Sequence, residues 1–191
     1  ALIYDEAQTM RSLINDVLTL SKLDESAFEN DGATAINLYA VAQRVAGRLS
    51  SFADDQGVRV RVEGASACIA GSETLAEEML YNLIENGIRY NHEGGLVTMK
   101  VGSECVEGGL ANAAYQTVVR VSDTGPGIPA ELHDKVFERF FRVDKSRSKE
   151  TGGTGLGLAI VKHAVMYHGG VIEVESAEGQ GTTFVLRFPS A

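Results

Sequence analysis

Tryptophan is absent from this chain of 191 residues, and cysteine and proline are scarce, with two of the first and three of the second. Cys68 and Cys105 stand far apart, without the close spacing of a zinc site or a disulfide framework. Buried free thiols in a reducing compartment are the expectation for both. Histidine is sparse as well. His92, His133, His163 and His168 show no HExxH or similar interval, which argues against a metal held through histidine. No stretch approaches the ~18 consecutive apolar residues of a membrane span, and no signal peptide opens the chain. Positive charge is short overall. A net charge of −9 argues against general affinity for nucleic acid or anionic lipid. The start at Ala1, without Met, suggests a fragment cut from something longer.

What remains is ordinary for a soluble globular domain, with 44% hydrophobic and 23% charged residues. The basic charge that exists is concentrated. Lys135, Arg139, Arg142, Lys145, Arg147 and Lys149 oppose only Glu138 and Asp144 over residues 135–149. A solvated loop accounts for such a run, and so does an anionic ligand such as a phosphate.

The first 25 residues read apart from the rest. Residues 2–23 lack Gly and Pro. Ile3, Met10 and Val17 recur at seven-residue intervals, and Leu13 and Leu20 form a second such series. Leu2, Ile14 and Leu18 widen this a/d-type seam. The spacing fits a helix that enters an intermolecular bundle, in preference to one packed on its own domain. DESAFENDGAT (24–34) is polar and reads as a linker, so residues 26–35 separate the helix from a main domain over 36–191.

Within that domain, Leu38–Phe52 has helical spacing and Val58–Val62 alternates as a strand. Cys68–Ala70 reads as a short strand. Glu73–Tyr90 reads as a helix with Ser72 at its N-cap. Leu96–Val101 and Thr117–Val121 read as strands joined by a Gly-rich hairpin loop. Pro129–Phe141 and Thr154–Tyr167 read as helices, the second stopped by Gly169 and Gly170. Val171–Glu175 and Thr183–Phe188 close the chain as strands around AEGQG. Helices and hairpin-connected strands come in separate blocks, which predicts an α+β fold: a two-layer sandwich with a mixed sheet covered on one face.

Three stretches carry chemistry. On EEMLYNLIENGIRYN, Glu78, Asn82, Asn86 and Arg89 share one helix face, opposite Leu80, Leu83, Ile84, Gly87 and Ile88. Asparagine is a poor mid-helix residue, and two of them four apart present carboxamide oxygens side by side. Neutral oxygen ligands suit Mg²⁺, which takes the rest of its shell from water and phosphate. Arg89 adds a fixed positive charge. In SDTGPGIP (122–129), Asp123 ends a strand where it can accept from an exocyclic amine, and Gly125 and Gly127 let backbone approach a flat ring. In TGGTGLGL (151–158), Gly153, Gly155 and Gly157 lead into a helix N-terminus, a ready anion site. The pattern is neither a Walker A loop nor a Rossmann fingerprint. The basic, Ser-rich run before it reads as a mobile loop able to close over phosphates.

In their order, these elements resemble the ATP-binding (GHKL, Bergerat-fold) domain of the histidine kinases of two-component signalling. NLIENGIRYN resembles the N box, DTGPGI the G1 box, VFERFFR the F box, GTGLGL the G2 box and GQGTTF the terminal glycine element. Residues 13–24 resemble the end of the second dimerisation helix. The resemblance implies that Asn86 chelates Mg²⁺ between phosphates, with Asn82 beside it, and that Arg89 contacts phosphate where the family usually has Lys. Tyr90 and Ile128 would line the pocket. Asp123 would accept from the adenine amino group, with Gly125 and Gly127 flanking the base and Thr182 holding it through water. Phe137, Phe140 and Phe141 would anchor the lid, and Arg139 or Arg142 would reach the γ-phosphate. Gly153, Thr154, Gly155, Leu156, Gly157 and Leu158 would form the hinge and phosphate cradle. Gly87 replaces the usual Ala.

The resemblance further implies transfer of the γ-phosphoryl group of Mg-ATP to a histidine on a dimerisation helix, then to an aspartate of a response regulator. It implies a homodimer through the N-terminal helix. It also implies a cytoplasmic location, with no membrane contact by this part, and attachment of the parent to a membrane as an integral sensor is the family expectation. The acceptor histidine itself is missing. His92-Glu93 precedes two glycines that break a helix, and the other three histidines lie in the ATP domain. Alone, this chain is therefore expected to bind ATP or ADP without phosphorylating itself. Two other readings stand beside this one. A different ATPase or serine kinase of the superfamily fits less well with VFERFFR and the seam helix. A non-catalytic nucleotide sensor fits less well with Asn86, Asp123 and GTGLGL.

Overall fold

The computed structural model describes residues 34–106, 114–143 and 154–191, together with Met10 and Ile14. The chain first forms strand β1 (Thr34–Asn37). Asn37 then leaves the strand and caps helix α1 (Leu38–Arg48), its Oδ1 accepting from the Tyr39 and Ala40 N–H groups at 3.1 and 3.3 Å. Asn37→Ala is expected to cost about 1 kcal/mol of stability, read as a lower urea midpoint at unchanged slope. A short helix α2 (Ser50–Asp55) follows, then strands β2 (Arg59–Gly64) and β3 (Cys68–Gly71). The long helix α3 (Glu73–Arg89) leads to the hairpin β4 (Leu96–Val106) and β5 (Ala114–Asp123). Helix α4 (Gly157–Tyr167) and strands β6 (Val171–Ser176) and β7 (Thr182–Pro189) complete the fold.

Five strands form one sheet in the order β2-β4-β5-β7-β6, and β1 pairs with β3 separately. β2 runs parallel to β4, and every other neighbouring pair is antiparallel, so the sheet is mixed. Period-two alternation sorts its side chains. Val97, Met99, Val101, Val119, Val121, Phe184, Leu186 and Phe188 point to one side and join the core with Leu80, Leu83, Ile84 and Ile88 of α3. Burying each of those helix side chains contributes about 1.5–3 kcal/mol. The other side carries Lys100, Arg120, Glu173 and Arg187, with ion pairs Arg120–Glu104 and Arg187–Glu173, each at 2.6 Å. This is the predicted α+β sandwich with helices on one face.

The register also sets where the apolar layer ends. Val97 pairs with Asp123, Asp123 with Thr182, and Thr182 with Ser176. These four residues make the last row on the helix-facing side, and it is mostly polar.

Several elements differ from their sequence reading. The expected helix 38–52 breaks at Leu49, where the Ser50 hydroxyl takes the Gly47 carbonyl at 2.9 Å and competes with the helical ladder. β4 starts at Leu96 as expected but runs on to Val106, and β5 extends at both ends beyond Thr117–Val121. Thr34 and Ala35 already pair with Gly71 and Ala70, inside the expected linker. Pro129–Phe141 is not a helix but two 3₁₀ turns, Ala130–Leu132 and Lys135–Phe137. A segment this short is marginal as a helix. Phe137 is instead drawn edge-on against Phe184 of the sheet at 6.2 Å, and Phe140 turns left-handed at φ 65°. Helix α4 starts at Gly157 rather than Thr154, because the Leu156 N–H bonds the Thr154 hydroxyl at 3.2 Å.

The seven-residue seam lies outside the described residues except for Met10 and Ile14, which are helical and exposed at 61% and 57%. Among the described residues, no helix is long and apolar enough to cross a membrane.

Candidate functional site

A cleft of about 1050 Å³ opens between α3, the loop after β5, the 3₁₀ turns and the start of α4. Its walls include Asn82, Asn86, Arg89 and Tyr90 from α3 and its cap, then Asp123, Gly127, Ile128, Phe141, Arg142, Thr154, Gly155, Gly157, Leu158 and Thr182. Four sequence-expected positions stand otherwise. Gly125 is not on the wall but donates its N–H to Asp123, and Leu156 is fully buried, as is Ile160 in the same small cluster. Arg139 is exposed and not on the wall. Gly153 lies outside the described residues, as do Lys145, Arg147 and Lys149 of the expected cationic lid.

Asp123 occupies one end of the cleft. Its Oδ1 accepts from the Gly125 N–H at 2.8 Å and from the Thr182 N–H at 3.3 Å. Among the described residues, Oδ2 accepts nothing, which leaves one carboxylate oxygen for a donor in the cleft. Burial raises the Asp123 pKa above the usual carboxylate range, and the two backbone N–H groups draw it partly back. Stability therefore falls as pH rises from the ordinary carboxylate value through this raised one, because the folded state holds the proton more tightly.

The loop below Asp123 is held by contacts that local sequence does not announce. Ser176 accepts from the Ile128 N–H at 2.8 Å, donates to the Gly181 carbonyl at 2.7 Å and meets the Thr182 hydroxyl at 3.0 Å. Gly127 has φ 75°, and a Cβ there would fall 2.0 Å from the Ala177 carbonyl oxygen. The glycine is thus required by the neighbouring turn. Gly87 lets α3 lie on Val97 and Asp123, and an added Cβ would stand 3.1 Å from Val97 and 3.6 Å from the Asp123 Cβ. Ser176 carried no sequence signal, and Asn91, which also lines the cleft, was given no role of its own although it closes the NLIENGIRYN stretch; both matter through pairing across distant elements.

Along α3 the polar residues play separate parts. Asn86 lines the cleft, and among the described residues its carboxamide makes no hydrogen bond. Asn82 donates to the Glu78 carbonyl at 2.9 Å. Its Oδ1 would lie 2.7 Å from a Cβ on Gly157, so the glycine admits α4 close against α3. Arg89 pairs with Glu85 at 2.6 Å and stands over the Phe52 ring at 5.5 Å.

At the far end, α4 begins at Gly157 after Leu156, which supplies no side-chain cap, and its first-turn N–H groups and the positive end of its dipole lie on the cleft wall beside Thr154 and Gly155. The Phe140 N–H donates to the Gly155 carbonyl at 2.9 Å. That bond ties the phenylalanine-rich turn to the glycine loop. Phe141 enters the wall, whereas Phe140 is 64% exposed.

A one-sided mixed sheet, a carboxylate at the polar end of its core and an uncapped helix N-terminus across the cleft suit a ligand with a donor at one end and an anionic group at the other. The chain belongs to the family of histidine kinase-, DNA gyrase B- and HSP90-like ATPases, whose profile matches residues 71–191. Sensor protein IrlS of Burkholderia pseudomallei is 38% identical over 186 residues, 97% of this chain and 38% of that protein. The sensor-like histidine kinase SenX3 of Mycobacterium tuberculosis is 35% identical over 97% of this chain and 43% of its own length. The sensor histidine kinase WalK of Bacillus subtilis is 34% identical over 97% of this chain and 29% of its own. The chain thus spans less than half of each. Among solved structures, the mycobacterial sensor histidine kinase MprB superposes with a TM-score of 0.68 at 26% identity, over 83% of this chain and 97% of that one. Full-length ShkA in complex with AMPPNP gives 0.77 at 28% identity, over 97% of this chain and 37% of that one.

Proposed function

We propose that this chain is the ATP-binding catalytic part of a sensor histidine kinase and transfers the γ-phosphoryl group of ATP to a histidine outside its own sequence. The observation that carries this reading is the polarity of the cleft: a free carboxylate oxygen at one end and unpaired helix N–H groups at the other. Adenine sits with its amino group on Asp123 Oδ2, between Gly127, Ile128 and Thr182. The phosphates lie toward Thr154, Gly155, Gly157 and Leu158, with Arg142 at the distal end. ShkA, similar to this chain over 97% of its length, was solved in complex with AMPPNP, which supports a nucleotide as the ligand.

Magnesium fits the donor set. Asn86 offers a neutral oxygen on the cleft wall, and among the described residues no cluster of His, Cys, Asp or Glu forms a complete metal site. An ion here would take Asn86, phosphate oxygens and water. When bound it neutralises charge on the phosphates. The chain's own residues hold and orient: Asp123 the base, the α4 N-terminus the phosphates, and Phe141 shields the cleft from water. In the transfer, the acceptor histidine nitrogen bonds to the γ-phosphorus as the bond to the β-bridging oxygen breaks, and ADP leaves.

The seam of residues 1–25 pairs with a second copy as the later dimerisation helix, and residues 26–33 link it to the domain, which begins with β1. Onward transfer is to a receiver aspartate of a response regulator, with this part on the cytoplasmic side. Mixing the chain with a histidine-bearing dimerisation domain and ATP labelled at the γ-phosphorus tests the reading. Acid-labile label is expected on the added domain and none on this chain incubated alone. Label on the isolated chain, or none on the added domain at any stoichiometry, overturns it.

Asp123→Asn is expected to weaken ADP binding about tenfold, measured by titration calorimetry. The asparagine oxygen keeps the Gly125 and Thr182 N–H bonds, so its NH₂ turns toward the adenine amino group, donor against donor. Stability should not fall, since a costly buried charge is removed. For the wild type, ADP affinity should decline on acidification through the raised Asp123 pKa.

A further inference from the structure

Asn91 ends the α3 region at the rim of the cleft, and every hydrogen-bonding position of its carboxamide is occupied. Nδ2 donates to the Gly87 carbonyl at 3.1 Å and to the Leu96 carbonyl at 3.3 Å. Oδ1 accepts from the His92 N–H at 3.0 Å and from the Thr124 hydroxyl at 3.1 Å. An asparagine after a helix commonly serves by adopting the left-handed conformation, but Asn91 does not, since Phe140 alone among the described non-glycine residues has positive φ. Its contribution is made through the side chain. The tightness shows in Gly95, where a Cβ would lie 2.2 Å from Asn91 Oδ1.

The partners of this carboxamide converge on Asp123 from two sides. Thr124 follows Asp123 directly. Its hydroxyl accepts from the Leu96 N–H at 2.9 Å while donating to Asn91, and its own N–H donates to the Leu96 carbonyl at 3.1 Å. With Thr124 held at both backbone and side chain, the next N–H, that of Gly125, is aimed at Asp123 Oδ1. That bond and the one from Thr182 occupy Oδ1, leaving Oδ2 of this cleft-lining residue without a partner among the described residues. On the other side, Asn91 holds the carbonyl of Gly87, the helix residue that faces the Asp123 Cβ.

We propose that Asn91, acting through Thr124 and Gly87, is a positioning residue that sets the Asp123 carboxylate for purine discrimination, favouring a base with an exocyclic amino donor over one with a carbonyl at the same place. This rests on the placement of adenine at Asp123. A pair that set the carboxylate angle would matter for ADP and little for GDP, which cannot donate to Asp123 from that position. A residue that merely stabilised the fold would affect both nucleotides alike.

Calorimetric titration of the whole chain with ADP and with GDP separates these cases. Wild type is expected to prefer ADP. Asn91→Ala and Thr124→Val are expected to weaken ADP binding about tenfold and leave GDP binding within about twofold, so the preference collapses. Thr124→Ser keeps the hydroxyl and should retain the preference. Should Asn91→Ala fail to fold, the Thr124 pair decides alone. Equal losses for both nucleotides, or an unchanged ADP-to-GDP ratio in Thr124→Val, overturn the proposal. A wild type without preference for ADP overturns the adenine placement itself, and the proposal with it, before any substitution is made.

Discussion

Asn86→Ala is expected to abolish magnesium-dependent nucleotide binding while leaving the domain folded, and even slightly more stable. Asn86 lies on the polar face of α3, on the cleft wall, and among the described residues its carboxamide bonds to nothing within the protein. Truncation therefore breaks no internal contact. It also replaces a poor helix former by the best one, a gain of up to about 0.7 kcal/mol. The loss falls on the ligand. A hard cation such as Mg²⁺ requires near-octahedral oxygen coordination, and the substitution removes the Asn86 oxygen from that shell. Loss of one such ligand, about 2.7 kcal/mol, corresponds to a hundredfold in affinity. ADP titrated with magnesium and with chelator should give different affinities for wild type and a single weak one for the variant. A higher melting temperature beside lost binding would separate this effect from unfolding. Unaltered ADP affinity in magnesium would remove Asn86 from the site.

Gly127→Ala should act in the opposite manner, through the fold. Its φ of 75° costs an L-residue about 1–2 kcal/mol. The new methyl would also stand 2.0 Å from the Ala177 carbonyl oxygen, a backbone atom with no rotamer to yield. Separating the two loops adds about 1–3 kcal/mol and pulls Ile128 from Ser176. A total near 3 kcal/mol is a large part of the ~5–15 kcal/mol that holds a domain together. Denaturant unfolding should show the loss, and ADP binding should weaken with it because the loop carries one wall of the cleft. Gly47→Ala is the matched control. Gly47 is inside α1 with nothing near its Cβ position, and alanine there should stabilise by about 1 kcal/mol. Equal effects at the two glycines would refute the steric account.

Helix α3 was legible almost to the residue. Its apolar stripe, its start after Ser72 and its polar face all follow from period 3.6, and that pattern is local. Strands β6 and β7 were legible for the same reason, as alternating runs set apart by glycines. The segment Pro129–Phe141 misled because its apolar spacing imitates a helix, while its Phe137 ring answers to Phe184, remote in sequence. The boundary of α4 shifted because the Thr154 hydroxyl offers the backbone an alternative to the helix, and propensity alone does not rank the two.

By itself the sequence determined which chemistry is present: an acid at a strand end, asparagines on one helix face and glycines ahead of a helix. Residue type and short-range spacing suffice for that. Only tertiary structure decided how the acid is presented. The oxygen of Asp123 that remains available is the one left after Gly125 and Thr182, the latter 59 residues away, have claimed the other. Ser176 reaches Ile128 across 48 residues, and Asn91 reaches Thr124 across 33. Those bonds depend on strand register and on how α3 lies against β4 and β5. A register shift of one residue would turn Asp123 to the opposite face of the sheet without changing a letter of the sequence.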